Sequence, residues 1–183
     1  MSTHIMTVKE KVDNSFEAMK GQFGYTNKMA APKVLKVIIS TGTGGLMKKD
    51  RNKNDFIVDR LGKITGQKPS VKKAKKSVAS FKIRTGDPVG IMVTLRGKTM
   101  YNFLEKLLNI ALPRTKDFRG LDAKMVDAIG NVTIPVREHT IFPETADEEL
   151  KDVFGMGITI VTTAKTKKEA TSFFEYLGVP FKK

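Results

Sequence analysis

Ser77-Val78-Ala79-Ser80-Phe81-Lys82-Ile83-Arg84, Thr85-Gly86-Asp87-Pro88, Val89-Gly90-Ile91-Met92-Val93-Thr94-Leu95: the middle of this chain reads as two strands joined by a turn-forming cluster. Gly, Asp and Pro supply the backbone freedom, the local side-chain acceptor and the fixed φ that turns use. The flanking runs carry the β-branched and aromatic residues that favour strands. Helical periodicity lies on both sides of this hairpin. The reading is therefore an α+β fold, a mostly antiparallel sheet with helices packed on one face, plus projecting loops. The other face of such a sheet is open to a ligand.

Towards the N-terminus, Val8, Val12, Phe16 and Met19 recur at helical spacing before Gly21. Pro32 opens a β-rich run, Val34 to Ser40, which Thr41-Gly42-Thr43-Gly44-Gly45 ends. Phe56, Ile57, Leu61 and Ile64 mark a helix from about Asp50 to Thr65, with Gly66 where a C-cap belongs. Towards the C-terminus, Met100, Phe103, Leu104, Leu107 and Leu108 form the stripe of a helix from Lys98 to Ala111, stopped by Pro113. Residues 114–130 read as a polar loop or extension. Val132, Ile134 and Val136 alternate with polar positions, and Pro135 marks an edge or bulged strand. Ile158 to Thr163 is another strand. Thr145-Ala146-Asp147-Glu148 and Thr166-Lys167-Lys168-Glu169 have the form of capping boxes. The second precedes a helix with Ala170, Phe173, Phe174 and Leu177 inside. Without repeats or a low-complexity linker, residues 1–183 read as a single compact domain.

Charge points to the ligand. The chain of 183 residues carries a formal charge of +14. From Arg60 to Gly86 there are Lys and Arg residues but no Asp or Glu. Pro69, Val71, Ala74, Val78, Phe81 and Ile83 are interleaved, so this is not a featureless tail. Charges of one sign repel unless a polyanion neutralises them, and nucleic acid does so with release of counterions. Phe81 and Phe118 lie in basic, turn-rich surroundings, whereas Phe103, Phe173 and Phe174 sit at core spacing.

The same residues argue against chemistry. Cysteine is absent, and His4 and His139 are the only histidines. A thiol nucleophile and a zinc ribbon are excluded, and a histidine-based metal site has few ligands to draw on. Gly42-Thr43-Gly44-Gly45 follows a strand but lacks the Gly-Lys-Ser/Thr of a P-loop, and reads instead as a backbone turn that RNA can approach. No apolar run reaches the length of a membrane span. The expectation is no catalytic residue, no metal, no cofactor and no membrane partner.

Several blocks together resemble the bacterial form of one family, the large-subunit ribosomal proteins that bind 5S rRNA. They are Gly66-Gln67-Lys68-Pro69, Lys73 to Arg84, Val93-Thr94-Leu95-Arg96-Gly97, Pro113 to Leu121, Gly130-Asn131, Ile141-Phe142-Pro143-Glu144, and Ile158-Thr159-Ile160 with Thr162-Thr163-Ala164. The resemblance spans nearly the whole chain, as an N-terminal family segment of about 28–85 and a C-terminal one of about 88–182. It implies a structural, non-catalytic constituent of the large ribosomal subunit, cytoplasmic and ribosome-bound, acting in translation within the central protuberance.

The resemblance also implies site residues and partners. Gln67 and Thr94 match contacts to 5S rRNA. Ser40 stands at a third contact where Asn is usual, and its hydroxyl lacks the two-sided amide. Lys72, Lys73, Lys75 and Lys76, with Ser77 as a neutral donor, match a loop that reaches P-site tRNA. Arg114, Lys116, Phe118 and Arg119 match an extension that bridges to a protein of the small-subunit head. Lys116 replaces a common Arg, which keeps the charge but not the bidentate fork. Large-subunit rRNA and other 5S-binding ribosomal proteins complete the implied partners. A free RNA chaperone or regulator using the same surface is the rival reading, and an enzyme acting on nucleic acid is the third.

Overall fold

The computed structural model describes residues 6–45, 53–116, 118–146 and 153–182. The elements that carry the fold are α1 (Val8–Asp13), α2 (Ser15–Phe23), β1 (Val34–Gly42), α3 (Lys53–Thr65), β2 (Ser70–Lys73), β3 (Pro88–Leu95), α4 (Gly97–Lys106), α5 (Leu112–Arg114), β4 (Val132–Val136), β5 (Met156–Thr162) and α6 (Lys167–Leu177). The strands form one antiparallel sheet in the order β2-β3-β1-β5-β4, and the fold is α+β.

Strand burial follows the period of the backbone. Val37, Ile39 and Thr41 of β1 are buried while Ser40 and Gly42 are exposed. Ile91, Val93 and Leu95 of β3 are buried, and Gly90, Met92 and Thr94 between them are half-buried. β4 and β5 alternate in the same way. Successive side chains of a strand point to opposite faces, so one face of the sheet is core and the other stays open.

The chain forms two compact units. One comprises residues 1–37, 96–134 and 159–183. Here α1 and α2 pack with α4 and α6 around Val8, Val12, Met19, Phe103, Phe173 and Phe174. Glu169 of α6 binds the Tyr25 hydroxyl and also accepts from the Lys165 N–H at 2.8 Å. Thr166 caps α6 by accepting from the Glu169 N–H at 3.2 Å. The expected capping box is therefore only half formed, because the Glu169 carboxylate is drawn to Tyr25 and Lys165. Burial, reinforced by the hydrogen bond to Glu169 and its charge, pushes the Tyr25 phenol above its ordinary range.

The other unit comprises residues 38–95 and 135–158. There α3 packs on β3 through Ile57, Leu61 and Ile64, which are almost fully buried. His139 is fully buried and stacks on Phe154 with ring centroids 4.1 Å apart, which makes it a structural residue.

Three expected boundaries move. The first helix is two, broken at Asn14 (φ −94°, ψ 2°), and a capping box between Thr7 and Glu10 starts the first half. Helical backbone continues past Ala111 through Pro113 to Arg114. A π-type stretch, Leu107–Ala111, widens the turn ahead of the proline, and the Leu112 N–H reaches back to the Leu107 carbonyl. A wider turn relieves the clash that proline makes inside a regular α-helix. The central hairpin is displaced as well: β3 pairs with Ser70–Lys73, and Ser77 to Arg84 forms a tip beyond that pair. The acidic half of the Thr145–Glu148 box lies outside the described residues, while the Thr145 hydroxyl donates to the His139 carbonyl at 2.9 Å.

Two glycines make opposite predictions. Gly130 has φ +89°, and an added Cβ would lie 2.8 Å from the Ala164 carbonyl oxygen. Gly130→Ala should lower stability by about 2–4 kcal/mol through backbone strain and overpacking. Gly21 lies in α2 with nothing within 4 Å of an added Cβ. Gly21→Ala should raise stability by about 0.5–1 kcal/mol. Urea unfolding of both variants checks the pair.

Tyr25 carries a pH signature. Its folded-state pKa lies above the ordinary 10.0, so above that pH the unfolded chain releases a proton that the folded chain keeps. Stability from this group is complete below pH 10.0 and is lost as pH rises beyond it. Tyr25→Phe should cost about 1.5–3 kcal/mol at neutral pH. Unfolding curves should show the gap to wild type narrowing as pH passes 10.0.

Candidate nucleic-acid interface

In the unit of residues 38–95 and 135–158, α3 ends where Gly66 takes φ +68°. The buried Thr65 hydroxyl donates to the Leu61 carbonyl at 2.6 Å and accepts from the Gln67 N–H at 3.3 Å. That clamp delivers Gln67 to β3, where its side-chain amide donates to the Thr94 carbonyl at 3.3 Å. The Gln67 amide keeps a second N–H and a carbonyl oxygen for other partners. The Thr94 side chain is half-buried, and Ser40 is exposed on the open face of β1. Gln67 and Thr94 are thus in direct contact, and Ser40 shares the face to which Thr94 belongs.

The basic stretch is a two-stranded finger rather than a loop. Ser70 pairs with Met92, Val71 with Ile91, Lys72 with Gly90, and Lys73 with Pro88. The register shifts between Lys72 and Lys73, leaving Val89 as an extra residue on β3. Such a bulge bends the strand and increases its twist. Further out, Ala74 donates to the Asp87 carbonyl at 2.8 Å and accepts from the Gly86 N–H at 3.0 Å. Val78 and Ile83 exchange both backbone bonds, at 2.9 and 3.2 Å. Ser77 is engaged within the finger, where its hydroxyl accepts from the Thr85 N–H at 3.0 Å and lies 3.1 Å from the Thr85 hydroxyl.

The tip turns at Ala79–Phe81, and Lys82 takes the left-handed conformation at φ 51°. Phe81 is 63% exposed there, a large apolar side chain among lysines. The four predicted lysines divide, Lys72 and Lys73 lying on β2 and Lys75 and Lys76 beyond it, all exposed.

Positive charge is concentrated on the finger because the helix neutralises part of its own. Asp59 sits 3.0 Å from both Lys63 and Arg60. The hydrogen bond from Lys63, aided by the charges of Lys63 and Arg60, holds the Asp59 carboxyl below its usual range against a smaller opposing effect of burial. The Arg84 N–H donates to the Asp87 carboxylate at 2.7 Å, so the nearest acid serves the finger's own turn.

In the unit of residues 1–37, 96–134 and 159–183, Arg114 closes α5. Arg114, Lys116 and Arg119 are exposed and Phe118 is half-buried. This segment is tethered just beyond them. Leu121 donates to the Pro180 carbonyl at 2.7 Å, and Lys182 donates to the Leu121 carbonyl at 2.9 Å. Gly120 (φ +93°) fits only because it lacks a Cβ, which would lie 2.9 Å from the Phe181 carbonyl carbon.

Sequence reasoning placed Gly42 in a turn rather than in β1, and missed Gly90 on the open face and Lys82 as a strained position. The signal for Gly90 was its place inside a run of strand-forming residues, whereas Gly42 sits in a glycine-rich cluster that reads as a turn. Nothing in the sequence marks Lys82, because φ there depends on where the reversal falls.

Two family profiles match the chain. "Ribosomal protein L5" covers residues 27–84, and the profile of the C-terminus of the same ribosomal family covers residues 88–181. The chain is 50% identical over 160 residues to the large ribosomal subunit protein uL5 of Halothermothrix orenii, covering 87% of this chain and 89% of that one. It is 50% identical over 166 residues to uL5 of Flavobacterium johnsoniae, with 91% and 90% covered. With uL5 of Carboxydothermus hydrogenoformans the identity is 45% over 175 residues, with 95% and 97% covered.

Lys82→Gly should raise stability by about 0.5–1 kcal/mol by relieving the left-handed backbone, net of the added chain entropy. A higher urea midpoint at unchanged slope is the expected result.

Proposed function

Because the chain belongs to the ribosomal protein L5 family, structural and non-enzymatic proteins of the large ribosomal subunit, we propose that its open sheet face around Ser40, Gln67 and Thr94 holds 5S rRNA. The protein acts in translation, is ribosome-bound in the cytoplasm, and has ribosomal RNA and other ribosomal components as its partners. The observation that carries the finer reading is the Gln67–Thr94 bond at 3.3 Å on an open face that continues into an acid-poor basic finger. Lysines supply sequence-independent attraction to phosphate, and a few positioned polar groups select one folded RNA by shape.

The finger, with Lys73, Lys75 and Lys76 along it, contacts P-site tRNA in this proposal. Ser77 supports it by fastening the two arms. Arg114, Lys116, Phe118 and Arg119 form the contact to a protein of the small-subunit head. Other 5S-binding proteins of the large subunit adjoin the chain through the RNA they share.

Titration of the purified protein against 5S rRNA and an unrelated structured RNA of similar length, over a range of salt, tests the reading. Preference for 5S rRNA that survives raised salt supports it. Equal binding to both, fading steeply with salt, would leave only the electrostatic attraction of a free RNA chaperone. Gln67→Ala and Thr94→Ala should each weaken the 5S complex by about 1–2 kcal/mol. Lys73, Lys75 and Lys76 changed together to Ala should weaken binding of tRNA while sparing 5S rRNA. Equal loss of both would sink the separation of the two surfaces.

A further inference from the structure

Gly42 is a glycine that the fold itself does not require. It is the last residue of β1, is exposed, and has no positive φ, and an added Cβ would meet nothing within 4 Å. Glycine inside a strand weakens it, and one common reason for keeping it there is the close approach of a ligand. Its neighbour across the sheet is also a glycine. The Thr43 N–H donates to the Val89 carbonyl at 3.0 Å, which sets Gly42 alongside Gly90. Gly90 in turn pairs with Lys72 on β2. Alternation puts Gly42 on the same face as Ser40, and Gly90 on the same face as Met92 and Thr94. A row across the open face therefore runs Lys72, Gly90, Gly42: one cation, then bare peptide.

We infer that Gly42 and Gly90 form a side-chain-free floor on which the sugar–phosphate backbone of RNA lies in van der Waals contact, with the Lys72 ammonium on a flanking phosphate. The inference rests on the proposal that this face holds ribosomal RNA, and it assigns Lys72 to the sheet face instead of the finger. Two facing glycines remove the Cβ layer that keeps a polymer away from a sheet. The peptide groups then reach a ribose, and the polar residues of the neighbouring rows come within bonding distance. A lysine beside this floor holds a phosphate as a point charge without demanding a fixed geometry.

The test is Gly42→Val in the full chain, with 5S rRNA as the probe. Valine suits an extended strand and the position is open, so the urea midpoint should stay the same or rise. Affinity for 5S rRNA should fall roughly tenfold or more, because a branched side chain would hold the RNA backbone off the floor. Gly42→Ala should give a smaller loss in the same direction, and it replaces the valine variant if that chain fails to fold. Lys72→Ala should lower the salt dependence of 5S binding by about one phosphate and leave tRNA binding unchanged.

Wild-type affinity for the folded glycine variant overturns the inference while leaving the proposed function standing. Loss of tRNA binding with intact 5S binding in Lys72→Ala overturns the assignment of that lysine. A wild-type chain without preference for 5S rRNA removes the underlying proposal, and the inference with it.

Discussion

Period-two burial along β1 and β3 is the constraint on which the rest depends. Once Val37, Ile39, Thr41, Ile91, Val93 and Leu95 face the core, the intervening residues have no choice but to face outward. A slip of one residue would exchange the two sets completely. The pairing of Lys72 with Gly90 and of Thr43 with Val89 is therefore more than a local detail. It decides which small and polar side chains share a surface, and that surface exists only because the other one is packed.

The finger handles the opposite problem, a high density of like charge with little core to hold it. Its order comes from backbone bonds between the arms and from two side-chain fasteners, Ser77 with Thr85 and Asp87 with Arg84. Each is worth about 1 kcal/mol. Against them stand the repulsion among lysines and the left-handed backbone at Lys82. An element balanced in this way keeps its cations forward without spending apolar surface on burial.

Much of the fold was legible because its signals are local. The stripes of α3 and α6, the cap at Thr166 and the alternation in β4 needed only spacing. The place of the hairpin was not. Thr85-Gly86-Asp87-Pro88 looks like the reversal, but those residues kink the returning arm, and the reversal is made by Ala79 to Lys82, which carry no strong turn signal. Pro113 misled because the wider π-type turn before it accommodates the ring. The basic stretch as a candidate interface was plain from composition. The division of its lysines was not, since the face to which Lys72 belongs depends on a register that changes at the next residue. Gly42 announced itself as a turn residue and proved to be part of a strand.

The strand order carries a temporal consequence. β1 lies between β3 and β5, and β5 is encoded near the far end of the chain. During synthesis, β1 and β3 can pair early, yet the other edge of β1 must wait for Met156–Thr162 to leave the exit tunnel. Leu121 likewise waits for residues 180–182. Pairing between strands so distant in sequence is slow to form and leaves edges exposed meanwhile. The nascent protein thus carries a strongly β-forming strand with one edge open until β5 is available, and the sheet can close only after that.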